Sequence, residues 1–174
     1  MTAVRKELAW PATLAFATLA GTVIFSCLMP FATIATFCAA TMRRSTGLVT
    51  VIASWIANQM LGFGLLGYAR DAMTVANGVS LLVAAMAAFG LAGLITRGRV
   101  SIMLLLAMPI AFAAFQLVLL VYATAKGDLT MFTPDIVALV GMNEAIWFVG
   151  LMAQWILLRR IAPSWIGASN PAET

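Results

Sequence analysis

Apolar residues run along this chain in long blocks separated by short polar or charged breaks, at about 9–28, 31–42, 48–68, 76–96, 100–124 and 136–158. A helix needs roughly 20 apolar residues, each rising about 1.5 Å, to cross a bilayer. The last four blocks meet that length, whereas 9–42 is too long for one helix and slightly short for two, with Met29-Pro30 near its middle. Charge placement decides between the two. With 9–42 read as two helices and a cytoplasmic N-terminus, Arg5, Lys6, Arg43, Arg44, Arg97, Arg99, Arg159 and Arg160 lie inside and only Arg70 and Lys126 outside, eight against two. With 9–42 read as one kinked helix, the inside holds only Arg5, Lys6, Arg70 and Lys126, four against six. Cytoplasmic loops of membrane proteins carry the excess of Lys and Arg, which selects the first reading.

The expected fold is therefore all-α: a polytopic membrane protein, a six-transmembrane-helix bundle with N- and C-termini cytoplasmic, and residues 1–174 forming a single integral membrane domain. Arg5 and Lys6 ahead of an apolar run imitate a secretory signal, but the run continues without a small-residue cleavage site and reads as the first helix. Pro30 suits the first turn of the second helix, which is expected to be short, tilted or buried among its neighbours. The outer connections are Met29-Pro30, Tyr68 to Val75, and Ala125 to Asp135. Trp10, Tyr122 and Trp155 fall near the expected interfaces, where amphipathic rings settle.

Composition agrees and removes other classes. Hydrophobic residues make up 63% and charged residues 9%, against roughly 25% charged in a soluble domain, and the mean hydropathy is +1.04. A water-soluble globule and a disordered chain are excluded, and two cysteines inside apolar runs do not make a disulfide scaffold. The net charge of +4 reports topology and gives no support to a nucleic-acid partner. Small residues recur at four-residue spacing in Ala17 and Gly21 and in Ala84, Ala88 and Ala92, while Gly62, Gly64 and Gly67 crowd one end of the third span. Such stripes let helices pack closely, either within this bundle or against a partner subunit. No tandem repeat is visible, and the chain is short for the paired halves of a secondary transporter.

The sequence holds no histidine, P-loop or GxSxG motif, so no catalytic motif, ATP-binding motif or intrinsic cofactor is expected. What remains is the polar residues inside the spans, each of which is costly in lipid unless it faces the protein interior. Glu144 and Asn143 fall roughly 10–12 Å below the outer end of the last span, and Gln116 falls about two turns below the outer end of the span before it. Asn58 and Gln59 sit near mid-membrane, with the three glycines lining the way out to Tyr68, Arg70 and Asp71 and leaving room for a ligand against backbone. Arg70 with Asp71 reads as a solvated interfacial pair, and Gln154 as structural. Substrate binding is accordingly assigned to Glu144, Asn143, Gln116, Asn58, Gln59, Tyr68 and Arg70. Cys38 reads as a packed apolar residue. Cys27, at the outer end of the first span, either packs or ligates a soft or borderline metal centre.

Six short-looped helices, both termini inside, and polar residues gathered towards the outer face resemble the substrate-binding S-component of energy-coupling factor (ECF) vitamin transporters. The segments SCLMPFATIA and WIANQMLGFGLLGYARDA are similar to the cobalamin-type, BtuM-like group of these proteins. The resemblance implies uptake of a vitamin-like small molecule, cobalamin or another corrinoid, bound between the outer helix halves and outer loops. It also implies that Cys27 ligates the corrinoid cobalt, and that Ala17 and Gly21, with Thr13 in place of the usual alanine, contact an ECF-type transmembrane coupling subunit working with ATPases. The expected partners are then the lipid bilayer, the small-molecule substrate and that module, in the cytoplasmic (inner) membrane of a bacterium. The alternative is a non-catalytic structural or assembly subunit whose stripes dock a larger membrane complex.

Overall fold

In the computed structural model, which describes residues 10–12, 14, 29–96 and 102–161, every regular element among the described residues is helical. Five helices are delimited: α1 (Phe31–Thr41), α2 (Arg44–Met60), α3 (Ala72–Thr96), α4 (Ile102–Lys126) and α5 (Pro134–Ile161). A π-helical turn, Leu61–Leu65, extends α2, and a single 3-10 turn, Thr130–Phe132, lies between α4 and α5. α2 with its π turn, α3, α4 and α5 are each long and apolar enough to cross a membrane. Their number and length are those of a multi-pass membrane protein. The first expected span, 9–28, lies outside the described residues except at 10–12 and 14.

The helix ends are set by local chemistry. α3 begins at Ala72 because the Asp71 carboxylate accepts the Thr74 N–H at 2.7 Å, an N-cap that extends the helix four residues ahead of the apolar run. Asp71 therefore caps a helix, and both it and Arg70 are exposed. α5 begins at Pro134, whose missing N–H costs nothing in a first turn, with the Val137 N–H bonded to the Thr133 carbonyl at 3.0 Å. α4 ends where Gly127 takes φ +74° and the Asp128 N–H returns to the Ala123 carbonyl at 3.0 Å. α2 ends at Leu65 instead of residue 68: Leu66 N–H bonds Leu61 O at 2.9 Å, Gly67 takes φ +68°, and Tyr68 N–H bonds Gly62 O at 3.0 Å.

Short connections make successive helices alternate in direction, so Arg43, Arg44, Arg159 and Arg160 share one end of the bundle and the connections 66–71 and 127–133 share the other. At the basic end the Trp10 indole donates to Thr41 Oγ1 at 3.0 Å, and the Arg159 guanidinium lies 4.7 Å from the centre of the Trp155 ring. α2 and α3 cross at Gly78, whose carbonyl accepts the Trp55 indole N–H at 2.7 Å. A Cβ there would stand 2.6 Å from Gln59 Oε1, so the absent side chain is what allows the contact.

α1 stands apart. Its 11 residues cover only about 16 Å, half the hydrocarbon thickness, and every residue from Phe31 to Cys38 is buried. It packs most on α3, and to an equal extent on α2 and α4. Ala84, Ala88 and Ala92 of α3 are fully buried, so this stripe packs the bundle's own interior and is closed to a partner subunit. Phe37 of α1 meets Phe148 of α5 with ring centres 5.4 Å apart. Ala88→Leu should therefore lower the thermal midpoint of the detergent-solubilised protein through overpacking worth about 1–3 kcal/mol. Leu94→Ala, on a face 69% exposed, should leave that midpoint almost unchanged.

Candidate functional site

The position of α1 creates a problem at its first turn. A helix begins with N–H groups that have no partner within it, and α1 begins inside the bundle, where water cannot serve them. Pro30 brings no N–H, and the Phe31 N–H turns back to Met29 O at 2.9 Å. The next two are taken by one side chain from α5: Ala32 N–H donates to Glu144 Oε1 at 3.1 Å and Thr33 N–H to Glu144 Oε2 at 2.8 Å. The Thr33 hydroxyl completes the joint by donating to the Glu144 carbonyl at 2.9 Å, with Met108 Sδ of α4 a further 3.6 Å contact. Glu144 is 1% exposed. A carboxylate at the positive end of a helix dipole is favourably placed, and both of its oxygens are occupied. Expected as a ligand-binding group, Glu144 acts in this structure as a cap between helices.

Beside this joint, towards the end opposite Arg43, Arg44, Arg159 and Arg160, lies a cavity of about 360 Å³. α4 contributes Phe115, Gln116, Leu119, Tyr122, Ala123 and Lys126, one face at helical spacing, and α5 contributes Ile136, Val140 and Glu144 at steps of four. Asn58 comes from α2, Asn77, Ser80 and Leu81 from α3, Met29 and Phe31 from the start of α1, and Asp128, Met131 and Phe132 from the loop. Phe31 and Phe115 stack with centres 6.4 Å apart and planes 22° from parallel, giving an aromatic wall. At the mouth, Asn77 Oδ1 accepts the Tyr122 hydroxyl at 2.9 Å and the Lys126 ammonium at 3.3 Å. Such an apolar pocket with a few convergent polar groups is the usual form of a small-molecule site.

Three of the residues expected to bind substrate meet here: Asn58, Gln116 and Glu144. Asn143 does not line the cavity, because one residue along a helix turns the side chain by about 100°. Gln59 packs against Gly78 at the α2–α3 crossing. Tyr68 lies folded over Gly62, where a Cβ would stand 2.6 Å from the ring, and edge-on to Phe63 at 6.4 Å. Gly62 and Gly67 thus serve that fold and its turn, and neither they nor Gly64, Tyr68 and Arg70 line the cavity. Cys27, Thr13, Ala17 and Gly21 lie outside the described residues. Cys38 is a buried free thiol within α1. No group of three or more potential metal ligands occurs among the described residues.

Sequence reasoning missed Asn77, Ser80, Tyr122, Lys126 and Asp128 as cavity residues. A signal existed on α3: Ala84, Ala88 and Ala92 mark its inward stripe, and stepping back one and two turns reaches Leu81 and Asn77. Comparison of the chain with protein-family models, curated proteins and solved structures finds no match.

The loops at the mouth carry two carboxylates held below the ordinary range. Asp71 is lowered by the backbone N–H and hydroxyl of Thr74, and Asp128 by the hydroxyl and N–H of Thr130, with Lys126 adding to both. A carboxylate with a depressed folded value stabilises above its unfolded value and loses that contribution as pH falls through the folded one. Amide exchange at Thr74 and Thr130, corrected for intrinsic rates, should therefore hold steady above about pH 4 and rise only at lower pH. At the buried joint, Glu144→Gln should lower stability by about 1–3 kcal/mol, because an amide offers one acceptor to two N–H donors. Thermal unfolding in detergent checks this, with faster exchange at Ala32 and Thr33 as its local signature.

Proposed function

We propose that the chain is a membrane-embedded binding subunit for uptake of a vitamin-like small molecule taken from the outer side. The observation that carries this reading is the cavity: about 360 Å³, aromatic at its wall and polar at its mouth, at the end of the bundle away from Arg43, Arg44, Arg159 and Arg160. In this reading, which the positive-inside bias supports, that end faces outward, the chain spans a bacterial inner membrane six times and both termini lie in the cytoplasm. Asn58 and Gln116, polar groups facing a cavity inside the membrane, supply the orienting contacts. Movement of substrate across the bilayer would come from an ECF-type coupling subunit and ATPases or, less conventionally, from the chain alone; the sequence itself has no P-loop.

The resemblance to the cobalamin-type group makes a corrinoid the first substrate to test. A corrin macrocycle with its nucleotide arm exceeds the volume of this cavity, so binding one requires the cavity to widen, for which the 127–133 loop that lines it has to move. Calorimetry of the purified full chain in nanodiscs with hydroxocobalamin tests the assignment. Saturable binding, weakened about 5- to 10-fold by Gln116→Ala for the loss of one hydrogen bond, is the expected outcome. Absence of both binding and co-purified corrinoid after growth with cobalamin would remove the corrinoid. The assembly-subunit reading has lost one of its proposed docking stripes, because Ala84, Ala88 and Ala92 are buried in the bundle.

A further inference from the structure

Two neutral polar side chains line the cavity without a partner in the fold. Asn58 of α2 and Gln116 of α4 make no hydrogen bond among the described residues. Each carboxamide carries two N–H donors and a carbonyl acceptor, and at membrane depth a polar group that nothing serves costs free energy. Ser54, one turn from Asn58 on the same face of α2, is 2% exposed, and its hydroxyl likewise has no partner among the described residues. Such groups are rare in protein interiors, and water or a ligand is what commonly satisfies those that persist.

Charge belongs to the other end of the cavity. Lys126 is the last residue of α4 and Asp128 lies in the loop beyond it, whereas Gln116 stands ten residues, about 15 Å, back along the helix. The mouth holds both signs, since Lys126 acts on the carboxylates of Asp71 and Asp128. Glu144, the charged residue deeper in the lining, is 1% exposed and has both oxygens on Ala32 and Thr33. Beside the stacked rings of Phe31 and Phe115, the inner part therefore offers neutral donors and acceptors and no accessible charge to balance an ionic group. We propose that it takes a flat ring bearing an uncharged amide-type group, a carboxamide, lactam or urea, which hydrogen-bonds to Asn58 and Gln116 while the ring lies against Phe31 and Phe115. An amide-type group brings both the donor and the acceptor that a carboxamide side chain matches, whereas an ionised group would exchange its hydration for neutral partners alone. The inference rests on the binding-subunit reading and names the ligand chemistry of that same cavity.

Three probes of one shape test it: 2-naphthamide, 2-acetylnaphthalene, in which a methyl replaces the amide nitrogen and its protons, and ionised 2-naphthoate. Each is titrated into the full chain in nanodiscs of zwitterionic lipid, with binding to empty nanodiscs subtracted. The unmodified chain should bind naphthamide about five- to tenfold tighter than either of the others. Asn58→Leu combined with Gln116→Met should erase the preference over the ketone and leave the thermal midpoint in detergent no lower, because neither amide is bonded to the fold. Equal affinity for amide and ketone, naphthoate bound as tightly as the amide, a preference surviving the double variant, a lowered midpoint in that variant, or no saturable naphthamide binding would overturn the proposal. Cobalamin binding without naphthamide binding overturns this inference and leaves the binding-subunit reading intact. Naphthamide binding with the expected preference, without cobalamin binding, supports it and removes only the corrinoid.

Discussion

The bundle depends on one requirement: a helix that starts inside a membrane protein needs acceptors for its first N–H groups. α1 is too short to span and begins where no water is at hand. Glu144 answers this by crossing from α5 and accepting from Ala32 and Thr33 at once. Placing a carboxylate there is costly, and leaving two backbone donors unserved in an apolar interior is costly as well. Each deficit removes the other, so the pair holds where neither group would be stable alone. Thr33, through its hydroxyl to the Glu144 carbonyl, adds a tie that runs back to the backbone of α5.

The cavity follows from that joint. Because α1 starts deep, the described helices leave space above Met29 and Phe31 towards the loop end, and the outer halves of α3, α4 and α5 surround it together with Asn58 of α2. Small residues lower on α3 allow α1 to sit tightly against it, which keeps the void at one end of the bundle. Polar groups then divide by depth: Glu144 serves the backbone at the bottom, while Asn77, Tyr122 and Lys126 organise one another at the mouth.

Much of this was legible in the sequence, for reasons that differ by residue. The four long helices follow from apolar length, and α1 from the Met29-Pro30 break with a run too short to span. Glu144 stood out because a lone carboxylate in a span demands a partner, but that partner is backbone, which no side-chain pattern announces. Gln59 and Tyr68 read as ligand contacts and instead meet Gly78 and Gly62, since a glycine can be room for a ligand or for a neighbouring side chain. Lys126 and Asn77, 49 residues apart, come together only through the α3–α4 pairing, so neither was marked as a site residue.

The distance along the chain between α1 and its cap bears on how the protein is made. Ala32 and Thr33 leave the ribosome 112 and 111 residues before Glu144. During that interval the first turn of α1 lacks the acceptor it holds in the finished bundle, and only water or lipid headgroups can stand in. α1 therefore cannot settle at its final depth when it is synthesised. It gains that acceptor only when α5 arrives, so a helix made later closes the interior of an earlier one.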